Sequence, residues 1–346
     1  MVDTKEILIN NMLDKIDNSY DKSEGTFFYD AIMPVAIELE KLGIKADSIL
    51  TKCFVDTATG KDLDRLVAEV GITRKKATKS FGYVTIGGIN GSKIIAGEKV
   101  ASDSINFIFL ENKKIENKEV DVLVECEVYG TTGNVPIGAI KYFPKTLQGL
   151  QTVTNKQAFS NGYDMETDEA LRERYYIKVR TPATSGNVYH YKQFCLETVG
   201  VGDCRILPLW NGNGTVKCII INSNKKPADE NLINDVKEHI EENRPIGATV
   251  TVISATEKTI NINVNLAVEE GYSIDTIKKT IEKSITDYLK KIAFNKTYVS
   301  LAKIGSYILD TDGVIDYTEL KLNGTVNNVQ IENEEVAVLG QVVING

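Results

Sequence analysis

Apolar residues near the N-terminus recur at helical spacing. Residues 5 to 20 place Ile9, Met12, Leu13, Ile16 and Tyr20 on one stripe, which predicts a short amphipathic helix, and DKSEG then breaks the pattern. From Phe28 the apolar positions run Phe28, Ile32, Val35, Leu39, Leu42, Ala46, Ile49 and Cys53 in steps of four and three, the a/d signature of a coiled-coil seam. Pro34 lies inside this run and either kinks the helix or marks its start, and Gly43 weakens its middle by about 1 kcal/mol relative to Ala. The seam is expected to pack against another chain, because a terminal helix with a strict 3-4 pattern has little neighbouring chain to cover it. The alternative is an ordinary helix on its own domain. A third helix is predicted over Lys61 to Val70, stopped by Gly71, and the basic run TRKKATK at 73 to 79 reads as a solvated linker.

From Phe81 to about Gln157 the period changes to two, with Val120, Val122, Val124, Cys126 and Val128 on one face, so a β-rich domain follows. The stretch from Asn161 to Trp210 predicts two helices and a strand. Asp164, Glu166, Asp168 and Glu169 crowd the start of the first helix, where carboxylates favour the positive end of the dipole, and Leu171, Tyr175 and Val179 form its buried face. Ser185-Gly186-Asn187 caps the second, with Val188, Tyr191, Cys195, Thr198 and Val199 inward and Gly200 closing it. A hairpin around Asn211-Gly212-Asn213-Gly214, a helix begun by Pro227 and a strand complete this unit.

Residues 256 to 346 predict a strand through Ile260 to Val268, a helix on Ile274, Ile277, Ile281, Ile285, Tyr288 and Ile292, a second helix capped by Ser300, and then strand, Asn323-Gly324 turn and strand. That order repeats the helix, Gly-Val, strand, turn, strand plan of 188 to 221, and the tail from Asn323 to Asn345 reads as irregular. The expected fold is therefore α+β and multidomain. It divides into an N-terminal helical coiled-coil arm (1-56), a helix and linker (57-80), a β-rich domain (81-160), and two small α+β domains of related helix-strand-turn-strand plan (161-256 and 257-346).

Four pieces in order resemble the baseplate J family of contractile phage tails and R-type bacteriocins. They are TATGKDLDRLVAEVGITRKKATKSFGYVTIGG at 57 to 88, GTTGNVPIGAI at 130 to 140, Gly162-Tyr163-Asp164-Met165-Glu166-Thr167-Asp168 leading into Leu171-Arg172-Glu173-Arg174, with Gly200-Val201 and Trp210-x-Gly212-x-Gly214-Thr215-Val216, and NRPIGATVTV at 243 to 252. The resemblance implies a structural wedge subunit with no chemistry and no cofactor. By the same resemblance, its partners would be a second copy of itself and a smaller, tail protein I-like wedge subunit, joined through the N-terminal helices Ile9, Met12, Leu13, Ile16 and Phe28 to Cys53. A sheath initiator of lysozyme-like fold, hub and spike proteins, and neighbouring wedges met through the C-terminal domain would complete the set. Assembly would occur in the bacterial host cytoplasm, before release in a virion or bacteriocin particle.

Composition sharpens this picture in a few places. A formal net charge of -8 disfavours phosphate backbones, so nucleic acid is not an expected partner. Five cysteines without a CxxC suit reduced core thiols, and no apolar run approaches the roughly 18 residues of a membrane span. The N-terminus is too charged for a signal peptide. His190 and His239 lack metal-ligand spacing, GTTGNVPIG lacks the Lys-Ser/Thr of a phosphate loop, and the Asp164, Glu166, Asp168 spacing has Glu169 where a calcium loop needs Gly. No catalytic, cofactor or metal residue is expected. Other readings are a fibre adaptor or cell-surface binding module, and a glycan hydrolase, which needs a carboxylate pair and usually an aromatic platform that a chain with one Trp does not advertise.

Overall fold

The computed structural model describes residues 3–345. The described residues divide into two units: those up to Arg74 with Glu166–Tyr176, and Lys75–Met165 with those from Ile177 onward.

In the first unit, α1 (Lys5–Leu13) packs on the early part of α2 (Phe27–Cys53). The first helix is shorter than its pattern predicts: it stops at Leu13, and Ile16 sits in the turn, still half-buried against the same cluster. α2 starts at Phe27 and runs through Pro34, so the proline does not mark its beginning. α3 (Gly60–Ala68) contributes Leu63 and Val67 to a small core with Ala58, Ile72 and Leu171, the last from α4 (Asp168–Arg180). Residues 166–176 therefore belong to the first unit, although the sequence pattern groups them with 161 to 256. Val179 is exposed rather than inward.

The second unit opens with the β-rich domain. Its strands are β1 (Lys79–Gly88), β2 (Lys93–Ile94), β3 (Lys99–Ala101), β4 (Asn106–Phe109), β5 (Lys113–Lys114), β6 (Glu119–Tyr129) and β7 (Leu150–Thr154). Five of them form an antiparallel sheet in the order β3-β4-β6-β1-β7, coiled into a nearly closed barrel around Val84, Ile86, Phe107, Phe109, Val122, Val124 and Cys126. Val128, predicted on this inward face, is exposed.

Next, α5 (Val188–Glu197) and α6 (Glu230–Asn243) cover a sheet of β8 (Val201–Pro208), β9 (Thr215–Asn222) and β10 (Thr249–Ser254), ordered β10-β9-β8. Asn187 caps α5 by accepting from the His190 amide, and Asp229, not Pro227, caps α6 through Leu232. The inward face of α5 is Tyr191, Phe194, Cys195 and Leu196, while Val188 and Val199 are exposed.

The last part contains β11 (Thr256–Val268), α7 (Ile274–Ile292), β12 (Tyr298–Val299), α8 (Leu301–Leu309), β13 (Val314–Leu322), β14 (Val329–Gln330) and β15 (Glu335–Asn345). The tail is thus not irregular: β15 is a strand of 11 residues, parallel to β11 in the sheet β13-β11-β15. The repeat of plan also fails in its pairing. β8 forms a hairpin with β9, whereas β13 pairs with β11, which precedes it by two helices.

Candidate partner interface

α2 positions the predicted seam. Phe28 and Ile32 are half-buried against Ile9, Leu13, Met12, Ile16 and the fully buried Ala36, so α1 covers this part of the helix from within the chain. Beyond it the cover ends. Val35, Leu39, Leu42 and Ile49 are 51, 41, 61 and 57% exposed, and Ala46 and Cys53 are exposed as well. Cys53 is accordingly not a core thiol, unlike Cys126, Cys195, Cys204 and Cys218, which are buried.

Successive steps of four and three keep Val35 to Cys53 on one line along the last five turns of the helix, about 27 Å at 1.5 Å per residue. Leu50, also exposed and on the neighbouring row, widens the apolar surface, whereas Phe54 follows the helix end and Ile44, two positions after Leu42, lies on the opposite side. The strict 3-4 template passed over Leu50, although it follows Ala46 at a step of four. Contiguous apolar surface of this kind marks an interaction site in soluble proteins, and burying each large side chain contributes roughly 1.5 to 3 kcal/mol.

Arg172 holds the residues just past α2, and two further arginines tie α3 and Thr73 to the start of α4. Arg172 donates from Nε to the Val55 carbonyl at 2.7 Å and from Nη2 to the Ala58 carbonyl at 2.9 Å. Arg74, with a side chain 10% exposed, donates to Asp64 at 2.7 Å, Asp168 at 2.6 Å and the Glu166 carbonyl at 2.7 Å. Arg174 forms a forked pair with Glu166 at 2.6 and 2.9 Å and reaches the Thr73 carbonyl. Tyr176 donates to Asp56. The Gly60 amide lowers the Asp168 pKa, and the Arg74 guanidinium adds to that effect.

These contacts revise two expectations. The basic run is not a solvated linker, since Arg74 is in a buried-side network, Lys75 donates to the Val201 carbonyl and Lys79 pairs with Glu125. The acidic cluster does more than face a helix dipole. Asp164 accepts from the Thr131 amide and hydroxyl, Glu166 is taken by Arg174 and Asp168 by Gly60 and Arg74, so the three carboxylates point to separate protein donors. Sequence spacing carried no signal for this network, because Arg74 and Asp168 lie 94 positions apart.

The histidines are likewise in packing roles. His190 accepts from the Gly186 amide and stacks on Phe194 at 4.2 Å, and His239 meets Glu197 at 2.9 Å. No helix among the described residues is long and apolar enough to cross a membrane.

Residues 83–162 match the family model described as the baseplate J-like protein barrel domain, 183–254 the baseplate J-like central domain, and 260–345 the baseplate J-like protein C-terminal domain. Uncharacterized protein YqbT of Bacillus subtilis (strain 168) is 38% identical, covering 99% of this chain and 97% of that protein. The phage-like element PBSX protein XkdT of the same organism is 37% identical with the same coverage. The Mu-like prophage FluMu protein gp47 of Haemophilus influenzae is 23% identical over 79% of this chain and 78% of its own. Among solved structures, a chain of the anti-feeding prophage baseplate aligns with a TM-score of 0.41 and 9% identity, covering 97% of this chain and 89% of that one. With three consecutive family models matched along the chain, and relatives 38 and 37% identical over 99% of it, the chain belongs to the baseplate J-like family of phage and prophage baseplate proteins.

Proposed function

We propose that this chain is a structural wedge subunit of a phage-type contractile baseplate, without catalytic activity, assembled through α2 with a second copy of itself and a helix of a smaller wedge protein. The observation that carries the reading is the uncovered seam from Val35 to Cys53 in a chain whose other long helix, α7, is covered along its apolar face. Two additional helices would close a three-helix bundle over such a stripe by knobs-into-holes packing. The C-terminal domain, residues 257 to 346, would then join neighbouring wedges around the hub and spike, with the sheath initiator above, in the released particle. Assembly before release would take place in the host cytoplasm.

Leu39→Asp and Leu42→Asp test the seam. Both put a carboxylate into the proposed bundle, where burial without a partner charge is costly. Each variant should melt like the parent chain when alone and lose copurification with the proposed smaller wedge protein. If the variants precipitate or melt far lower while their soluble fraction still binds that protein, α2 belongs to this chain's own core.

A further inference from the structure

Two sheet edges in the second unit are closed or blunted. β3 is closed by the segment that follows the barrel strands, where Ala101 donates to the Tyr142 carbonyl and accepts from the Lys141 and Tyr142 amides. β13 is broken at Glu319, whose φ is +54°, and it carries Asp316, Glu319 and Lys321 along its length. Charges and local kinks of this type are how natural sheets discourage further pairing. β15 is treated differently. From Val336 to Asn345 it has neither a charged residue nor a proline, and among the described strands only β11 pairs with it. A bulge at Gly340-Gln341, pinned by the Asn261 side-chain Oδ1 accepting from the Gln341 amide at 2.9 Å, divides the outer edge into two straight runs.

A shallow groove of about 670 Å³ lies beside this edge, with Leu339 and Gly340 of β15 on one side and Lys279, Lys283, Asp287 and Lys290 of α7 on the other. Glu282, also on this wall, is engaged by Lys278 at 4.0 Å. Lys279, Lys283 and Lys290 have no ion-pair partner among the described residues. The groove therefore offers three free ammonium groups against the two carboxylates of Glu282 and Asp287, a net positive wall in a chain whose formal net charge is -8.

We propose that β15 accepts an extended acidic segment of another protein as a fourth strand on the sheet β13-β11-β15. Its backbone pairs with the outer edge of β15, and its carboxylates meet the lysines of α7. Strand addition supplies affinity through main-chain hydrogen bonds and specificity through alternate side chains, and the charged wall selects the sign of those side chains. A second copy of β15 fits less well, since it brings no carboxylate between Val336 and Asn345 to this wall. The proposal is independent of the α2 seam and of the wedge reading, and it is tested on the full chain alone.

The probe is a fluorescein-labelled peptide alternating valine and threonine with glutamate, beside a twin carrying lysine in place of glutamate. Anisotropy should show the glutamate peptide binding at least about tenfold tighter than its twin, with affinity falling as salt rises. Lys279→Glu with Lys283→Glu, both on the solvent side of α7, should reverse that preference without changing thermal melting. Hydrogen exchange with the glutamate peptide bound should slow the outward amides of β15 and leave β13 unchanged. Equal binding of the two peptides, binding without protection of β15, or no binding at all each overturns the proposal. A concentration-dependent dimer that protects β15 in the absence of peptide also overturns it, in favour of a second copy.

Discussion

α2 and α7 are the two longest helices of the chain, and both announce an apolar face by spacing alone. α7 buries Ile277, Ile281, Ile285, Tyr288 and Leu289 against β11, β15 and α8. α2 buries one residue, Ala36. The difference lies in what the rest of the chain supplies: α7 has a sheet beneath it, whereas the nine residues of α1 cover only the early turns of α2. An amphipathic pattern thus specifies that a face will be covered, while topology decides whether the cover comes from within the chain or from outside it.

The largest effect expected from breaking this comparison is Ile281→Asp. It places a charge at a fully buried position and should cost about 4 kcal/mol or more, unfolding the C-terminal domain in a urea titration followed by circular dichroism. The matching change Leu42→Asp on α2 should alter the stability of the isolated chain by no more than about 0.5 kcal/mol. Equal losses in the two variants would abolish the contrast.

Arg172→Ala sharpens the comparison at the end of α2. It removes a charged donor from the Val55 and Ala58 carbonyls and should cost about 3 kcal/mol, read as faster amide exchange in α3 while α7 is unaffected.

Acid should act on the same region. Asp168 is held below the ordinary aspartate range by the Gly60 amide first and Arg74 second. A depressed folded-state value means a contribution complete above about pH 3.9 and lost as the pH falls through the lowered value. The Gly60 amide shift in NMR should follow that loss, and Asp168→Asn should remove the transition. Gly43→Ala acts in the opposite direction and should stabilise α2 by about 1 kcal/mol without altering the melting of the remaining domains.

The sequence made some of this architecture plain and hid the rest for physical reasons. α6 and α7 were legible because their apolar residues keep helical period over three turns or more and meet a core inside the chain. β15 was not, because the bulge at Gly340-Gln341 shifts the alternation midway, so that EVAVLGQVVIN keeps no single inward face. Val179, Val188 and Val199 extended helical patterns past the point where the core ends. At the candidate interface the line from Val35 to Cys53 could be read from spacing, but the turns hidden under α1 could not, since that depends on a chain reversal at residues 14 to 26. The arginine network left no trace at all: a charge run looks the same whether its partners are water or carboxylates far along the chain.

The fork of Arg172 onto two main-chain oxygens also predicts how this joint tolerates genetic drift. Carbonyls are present whatever side chains positions 55 and 58 encode, so substitutions there leave the acceptors in place. All the heritable information for the contact resides in one codon. Even lysine cannot stand in for the guanidinium, because a single ammonium lacks the planar spread that reaches both oxygens at 2.7 and 2.9 Å. Drift among relatives should therefore be strongly restricted at Arg172, while Val55 and the buried Ala58 are limited by their packing and not by this contact, an asymmetry that a deep mutational scan scored by particle yield would reveal.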